Sequence, residues 1–124
     1  MATSLPSLPS VLFVDDEANL LRGLERLLRR EARWRSHFAL GGEAALQLLE
    51  QRSFSCVVCD LEMPVVDGAA LVAVIREQHP ATSVVLLTGS EPGHTAKVVD
   101  AHLVKPCSPR ELTDTLARVL ALPA

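Results

Sequence analysis

Short apolar runs that stop on polar side chains recur along the chain. Val11-Leu12-Phe13-Val14 runs into Asp15-Asp16-Glu17, and Cys56-Val57-Val58-Cys59 runs into Asp60. Ser83-Val84-Val85-Leu86-Leu87 stops at Thr88-Gly89, and Ala101-His102-Leu103-Val104 stops at Lys105-Pro106. Continuous runs of this length, bounded by turn residues, predict strands buried on both faces. Residues 34–40, from Trp34 to Leu40, supply a less apolar strand that Gly41-Gly42 breaks. Between the strands the period changes from continuous to helical. Leu20, Leu21, Leu24, Leu27 and Leu28 share one helical face, with Arg22, Arg26, Arg29 and Arg30 on a basic, solvated outer face. Ala45, Leu48 and Leu49 repeat that spacing over residues 43–52, and Leu71, Val72, Val74 and Ile75 do so after Asp67-Gly68, until His79-Pro80 stops the helix.

The last two helical segments differ sharply. Residues 91–100 hold only a short helix, with Pro92 at a plausible first position and Gly93 weakening it. The final helix has a complete start signal: Ser108 as N-cap, Pro109 at the first helical position and Glu111 closing a capping box. Leu112, Leu116, Val119 and Leu120 form its inner face. Strand then helix, five times over, predicts a parallel sheet between two helical layers.

Composition narrows the options. A chain of 124 residues fits one domain, and a domain of that size hides roughly two thirds of its unfolded surface. Aromatic residues are 3% with no Tyr, so the core is aliphatic and base-stacking platforms are disfavoured. A net charge of −3 also argues against direct nucleic-acid binding. The three cysteines do not make a disulfide framework. Cys56 and Cys59 have C-x-x-C spacing, yet three steps along a strand put them on opposite faces, so reduced core thiols and a cytoplasmic location are expected. Residues 1–10 read as a loose Pro/Ser leader without the basic start or apolar run of a secretory signal. No segment approaches the roughly twenty apolar residues that span a bilayer, so no membrane partner is expected.

In a parallel sheet all C-terminal strand ends lie on one side. Asp15, Asp16, Asp60, Thr88 and Lys105 should therefore meet in a single cleft. Three carboxylates repel one another, and a cation relieves that repulsion. Hard oxygen donors in small number suit Mg²⁺. A divalent ion, a carboxylate nucleophile and an ammonium together suit phosphoryl transfer, with an aspartyl phosphate as the covalent product.

These residues fall in motifs. Val11-Leu12-Phe13-Val14-Asp15-Asp16-Glu17, Asp60-x-x-Met63-Pro64-x-x-Asp67-Gly68, Leu87-Thr88-Gly89 and Lys105-Pro106 resemble the signature set of CheY-like receiver domains of bacterial two-component response regulators, over essentially residues 10–122, with the domain itself at 11–122. The resemblance implies a flavodoxin-like, doubly wound five-stranded sheet of order 2-1-3-4-5 with about five helices, the fourth shortened. It implies Asp60 as the phosphoacceptor, charged from the phosphohistidine of a sensor histidine kinase or phosphotransfer protein. Asp15, Asp16, the Asp60 carboxylate and the Glu62 backbone carbonyl would hold Mg²⁺, and Thr88 and Lys105 would contact phosphate oxygens. The chain would then be no conventional enzyme, but an acceptor that assists its own phosphorylation and dephosphorylation. Glu62 and Ser90, two residues beyond Asp60 and Thr88, hold positions that tune dephosphorylation in the family.

Two departures stand out. The family's aromatic switch position, three residues before the lysine, is His102, an imidazole that would act with Thr88 as a smaller rotor and add pH sensitivity. The span from Thr88 to Lys105 is also short. In the family the fourth helix, last strand and last helix form the face for an output domain, a downstream protein or a homodimer, so a changed partner geometry is implied. Trp34, the Lys105-Pro106-Cys107 ending and the sparse fourth helix resemble receivers attached to HD-type output domains.

Other readings fit less well. An aspartyl-phosphate phosphohydrolase wants D-x-D at the first strand, where Asp15-Asp16-Glu17 stands. A calcium loop from Asp60 through Glu62 would need a ligand at Pro64. A non-phosphorylated pseudo-receiver, a pure interaction module, usually lacks an acidic or lysine position, and none is missing.

Overall fold

The computed structural model describes residues 8–89 and 91–122. Most of the expected leader, and Ser90, lie outside the described residues. Five strands, β1 (Ser10–Asp15), β2 (Arg35–Leu40), β3 (Cys56–Asp60), β4 (Ser83–Thr88) and β5 (Ala101–Val104), form one sheet of order β2-β1-β3-β4-β5. Every neighbouring pair is parallel. Helices α1 (Ala18–Leu27), α2 (Gly42–Gln51) and α3 (Gly68–Gln78) make the first three crossovers, and α4 (Pro109–Val119) follows the last strand. Among the described residues, the crossover from β4 to β5 carries only a 3-10 segment, Gly93–Val98, which buries no residue.

Alternation along the strands builds two cores. Leu12, Val14, Val57, Cys59, Val84 and Leu86 point to the face covered by α2 and α3. Val11, Phe13, Cys56, Val58, Val85 and Leu87 point to the face covered by α1 and α4, where Trp34 is also buried and donates from its indole Nε1 to Ser36 Oγ at 3.1 Å. Cys56 and Cys59 thus sit on opposite faces as free thiols, and burial pushes both up to about 12.

Local signals start α3 and α4 as expected, whereas α1 and α2 begin without a side-chain cap. The Asp67 side chain accepts from Ala70 N at 2.8 Å to cap α3, and Ser108 and Glu111 close the capping box of α4. One expectation needs refinement. Only β1, β3 and β4 are buried on both faces, whereas β2 and β5 are edge strands. On β5, Ala101 and Leu103 pack toward α4, while His102 and Val104 are exposed on the other face. Among the described residues, the fourth crossover has no α-helix to cover them.

Candidate functional site

The order of strands reverses beside β1, and the C-terminal ends of β1 and β3 flank the crevice this creates. Asp15 ends β1 and Asp60 ends β3, both buried, while Asp16 is exposed at the rim. Carboxylate oxygens of all three lie within 4.8 Å of one another. Lys105 reaches in from beyond β5, its Nζ 3.0 Å from Asp60 Oδ2 and 3.3 Å from Asp15 Oδ2. Its backbone N–H donates to Thr88 O at 2.8 Å, so the lysine is carried by the end of β4. Thr88 itself is fully buried.

Backbone donors hold the second oxygen of each buried carboxylate. Glu17 N donates to Asp15 Oδ1 at 3.0 Å, and Glu62 N donates to Asp60 Oδ1 at 3.1 Å. The carboxylates are therefore aimed before any ligand arrives. Burial raises the Asp15 carboxyl above its usual value, with the Asp60 charge adding to the effect; the Glu17 N–H and Lys105 oppose it. Burial pulls Lys105 down, but its hydrogen bond to Asp60 and the charges of Asp15 and Asp60 outweigh that and hold it above the ordinary lysine value.

Gly68 supplies the close approach that lets this edge form. A Cβ there would stand 2.5 Å from Asp60 O and 2.6 Å from Leu61 Cα, and Gly68 N donates to Leu61 O at 2.9 Å. The loop before it places Val65 at φ 66°, left-handed backbone that a β-branched residue rarely adopts, with its side chain 87% exposed. The Lys105-Pro106 peptide is cis.

The structure brings Asp15, Asp16, Asp60, Thr88 and Lys105 to one edge of the sheet. Glu62 is beside it through its backbone, whereas His102 lies out on the exposed face of β5. The backbone donors at Glu17 and Glu62 were not legible as site elements, because peptide N–H groups carry no sequence signature.

The donor set fits a hard divalent cation. Three carboxylates converge against one ammonium, which leaves excess negative charge, and every donor is oxygen.

The model of the response regulator receiver domain matches residues 11–117, and the chain belongs to that family. The transcriptional regulatory protein SrrA of Staphylococcus aureus is 35% identical over 117 residues, which are 90% of this chain and 46% of SrrA. The chain thus spans about half the length of the curated relatives it matches. Among solved structures, the signal receiver domain of an HD domain-containing protein from Pseudomonas fluorescens Pf-5 superposes with a TM-score of 0.83 at 32% identity, over 92% of this chain and 95% of that one. Chemotaxis regulator CheY4 of Vibrio cholerae gives 0.82 at 30% identity, over 91% and 99%. Response regulator TrrA of Thermotoga maritima, solved in complex with Mg²⁺-BeF, gives 0.82 at 26% identity, over 90% and 99%. The expected sheet order, the two-component receiver class and the likeness to an HD-associated receiver are therefore borne out. No helix among the described residues is long and apolar enough to cross a membrane.

Proposed function

We propose that Asp60 accepts a phosphoryl group from the phosphohistidine of a sensor kinase or phosphotransfer protein, and that residues 11–122 act as the unit that reports it. The observation that carries this reading is the Asp60 carboxylate. It is nearly buried, fixed by Glu62 N on one oxygen and by Lys105 Nζ on the other, with two further carboxylates beside it. An Asp60 oxygen forms a P–O bond as the P–N bond of the phosphohistidine breaks. The imidazole leaves with the electron pair and takes a proton from solvent.

Asp15, Asp16 and Asp60, with the Glu62 carbonyl, would hold Mg²⁺, which when bound neutralises charge on the phosphoryl oxygens. Lys105 already contacts Asp60 and is kept protonated, so it supplies a counter-charge without rearrangement. Thr88, at the end of β4, is the hydroxyl that follows the phosphoryl group. Phosphorylation turns a charge of −1 into one nearer −2 and adds acceptor oxygens, which draws Thr88 and Lys105 inward and shifts the population between two states. The same polar groups would assist later hydrolysis, so the domain promotes its own phosphorylation and dephosphorylation without being a conventional enzyme.

A donor has a place to dock. The groove between α1 and α4, lined by Leu20, Gly23, Leu24, Leu27, Pro106 and Leu112, is apolar and ends at Lys105. Gly23 costs a helix about 1 kcal/mol relative to Ala, yet a Cβ there would meet nothing within 4 Å. Its absent side chain leaves the groove open to a partner's helix. Exposed Arg22 and Arg26 on the same helix favour an acidic flank on that partner. Signals would then leave through β5, α4 and the β4–β5 crossover toward an output domain, a downstream protein or a second copy, in a cytoplasmic setting. His102, exposed on β5, is the candidate reporter on that face.

Incubation with Mg²⁺ and acetyl phosphate, followed by intact mass measurement, tests the reading. One phosphoryl adduct is expected, absent in Asp60→Asn and suppressed by EDTA. No adduct under any condition would favour the pseudo-receiver alternative, and an adduct that survives Asp60→Asn would place the acceptor elsewhere.

A further inference from the structure

The β4–β5 crossover is held in an unusual way. Its 3-10 segment buries no residue, and apolar burial is confined to its flanks, at Pro92 just before it and Val99 just after it. A single guanidinium takes over where the segment ends. Arg76, in the last turn of α3, donates from Nε to Val98 O at 2.7 Å, from Nη1 to Thr82 O at 3.0 Å and from Nη2 to Asp100 Oδ2 at 2.8 Å. The planar fork of arginine suits three divergent acceptors in a way a lysine ammonium does not.

The acceptors are themselves anchored. Asp100 Oδ2 also accepts from Val84 N at 2.7 Å, and Asp100 N donates to Val84 O at 2.9 Å. Thr82 is buried and donates from its hydroxyl to Phe54 O at 2.7 Å. Arg76 therefore ties the end of the 3-10 segment to α3 and to the starts of β4 and β5, which are firmly placed. The other end of the crossover departs from Thr88, in the site. β4 separates the two ends, from Thr88 to Val84, by roughly 13 Å at a strand's rise per residue.

We propose that Arg76 is a positioning residue that fixes the hinge of the β4–β5 crossover. Motion at Thr88 then appears in residues 93–98 instead of being lost by slippage at Val98–Asp100. The reasoning is mechanical. A segment that buries no residue transmits displacement only if its far end is fixed, and there Arg76 and Asp100 act together with the packing of Val99. The inference rests on Asp60 phosphorylation as the input. Arg76 lies at the opposite edge of the sheet from Asp60, so its loss should leave the chemistry intact.

Amide hydrogen exchange on the full chain, with and without Mg²⁺ and acetyl phosphate, and intact mass on the same samples, tests this. In the parent protein, phosphorylation should change exchange across 93–98 but leave Val84 and Asp100 unchanged. Arg76→Gln should still gain the phosphoryl adduct. Its amides at 84 and 93–100 should exchange faster on the order of tenfold, from the loss of charged hydrogen bonds, and phosphorylation should no longer alter 93–98. Asp100→Asn should reproduce the effect at 93–98, and Arg76→Lys should fall between. Exchange within twofold of the parent in Arg76→Gln, or a retained phosphorylation response, would overturn the proposal. So would an equal rise through β1 and α2, which would mark a general loss of stability, or a parent protein whose 93–98 amides ignore phosphorylation. If the parent gains no adduct, the acceptor reading fails, and the clamp is judged on resting-state exchange in Arg76→Gln alone.

Discussion

The interior strands and the last crossover hold their shape by different means. β1, β3 and β4 are packed on both faces, and their ends deliver Asp15, Asp60 and Thr88 to positions that many buried contacts determine together. β5 packs on one face only, exposing His102 and Val104, and the crossover before it is tied at its end by a guanidinium and a carboxylate. The carboxylates that the proposed chemistry would use sit on the first region, and the face proposed for signalling sits on the second. Rigid aliphatic packing suits the proposed acceptor role of Asp60, which needs the carboxylate aimed in advance. A segment held by a few polar contacts opens at low cost, which suits a part that must change state.

Truncation on the two sides should separate them most sharply. Leu86→Ala, fully buried on β4, should lower unfolding free energy by roughly 2–5 kcal/mol. Val104→Ala, 58% exposed on the neighbouring strand, should stay within about 0.5 kcal/mol. Urea denaturation of both reads the contrast, and similar losses would erase the distinction.

Gly68→Ala probes the join between strand end and site. Its Cβ would meet backbone at Asp60 and Leu61 rather than a movable side chain. We expect a stability loss of about 1–3 kcal/mol, with slower adduct formation from acetyl phosphate as Asp60 is displaced. Normal kinetics in a folded variant would show that the Asp60 end tolerates movement.

Val65, on the loop between these features, should be improvable. Replacing it with Asn, which tolerates left-handed backbone, should raise stability by roughly 1 kcal/mol. An unchanged urea midpoint would mean that the loop relaxes around Val65.

The smallest effect concerns the other edge strand. His37 on β2 stacks edge-on against Phe54, and its Nε2 is buried without a hydrogen-bond partner among the described residues. Burial lowers its pKa below the usual histidine value, and the Arg52 and Arg35 charges push the same way. Because the unfolded chain binds the proton more readily, stability should fall as pH drops through about 6.5 toward the folded-state value. His37→Gln should flatten that part of the profile, measured by thermal or urea unfolding at stepped pH.

Much of this molecule was readable from residue order. The four apolar runs became β1, β3, β4 and β5, Ser108-Pro109-x-Glu111 became a capped helix, and opposite faces for Cys56 and Cys59 followed from the period of a strand. The chemical members of the site were readable too, since each stands at a strand end and a parallel sheet collects such ends on one side. Those features are local, or follow from one rule of topology. Other features belonged to the tertiary structure alone. Arg76 and Asp100 are 24 positions apart, and nothing near either in the chain marks them as partners. The aim of Asp60 depends on a peptide N–H at Glu62 and on space left by Gly68, and the exposure of His102 depends on a helix that the fourth crossover lacks. Sequence determined which groups could act and on which edge. Packing decided which of them are fixed and which are free to move, because both depend on contacts between segments distant in the chain.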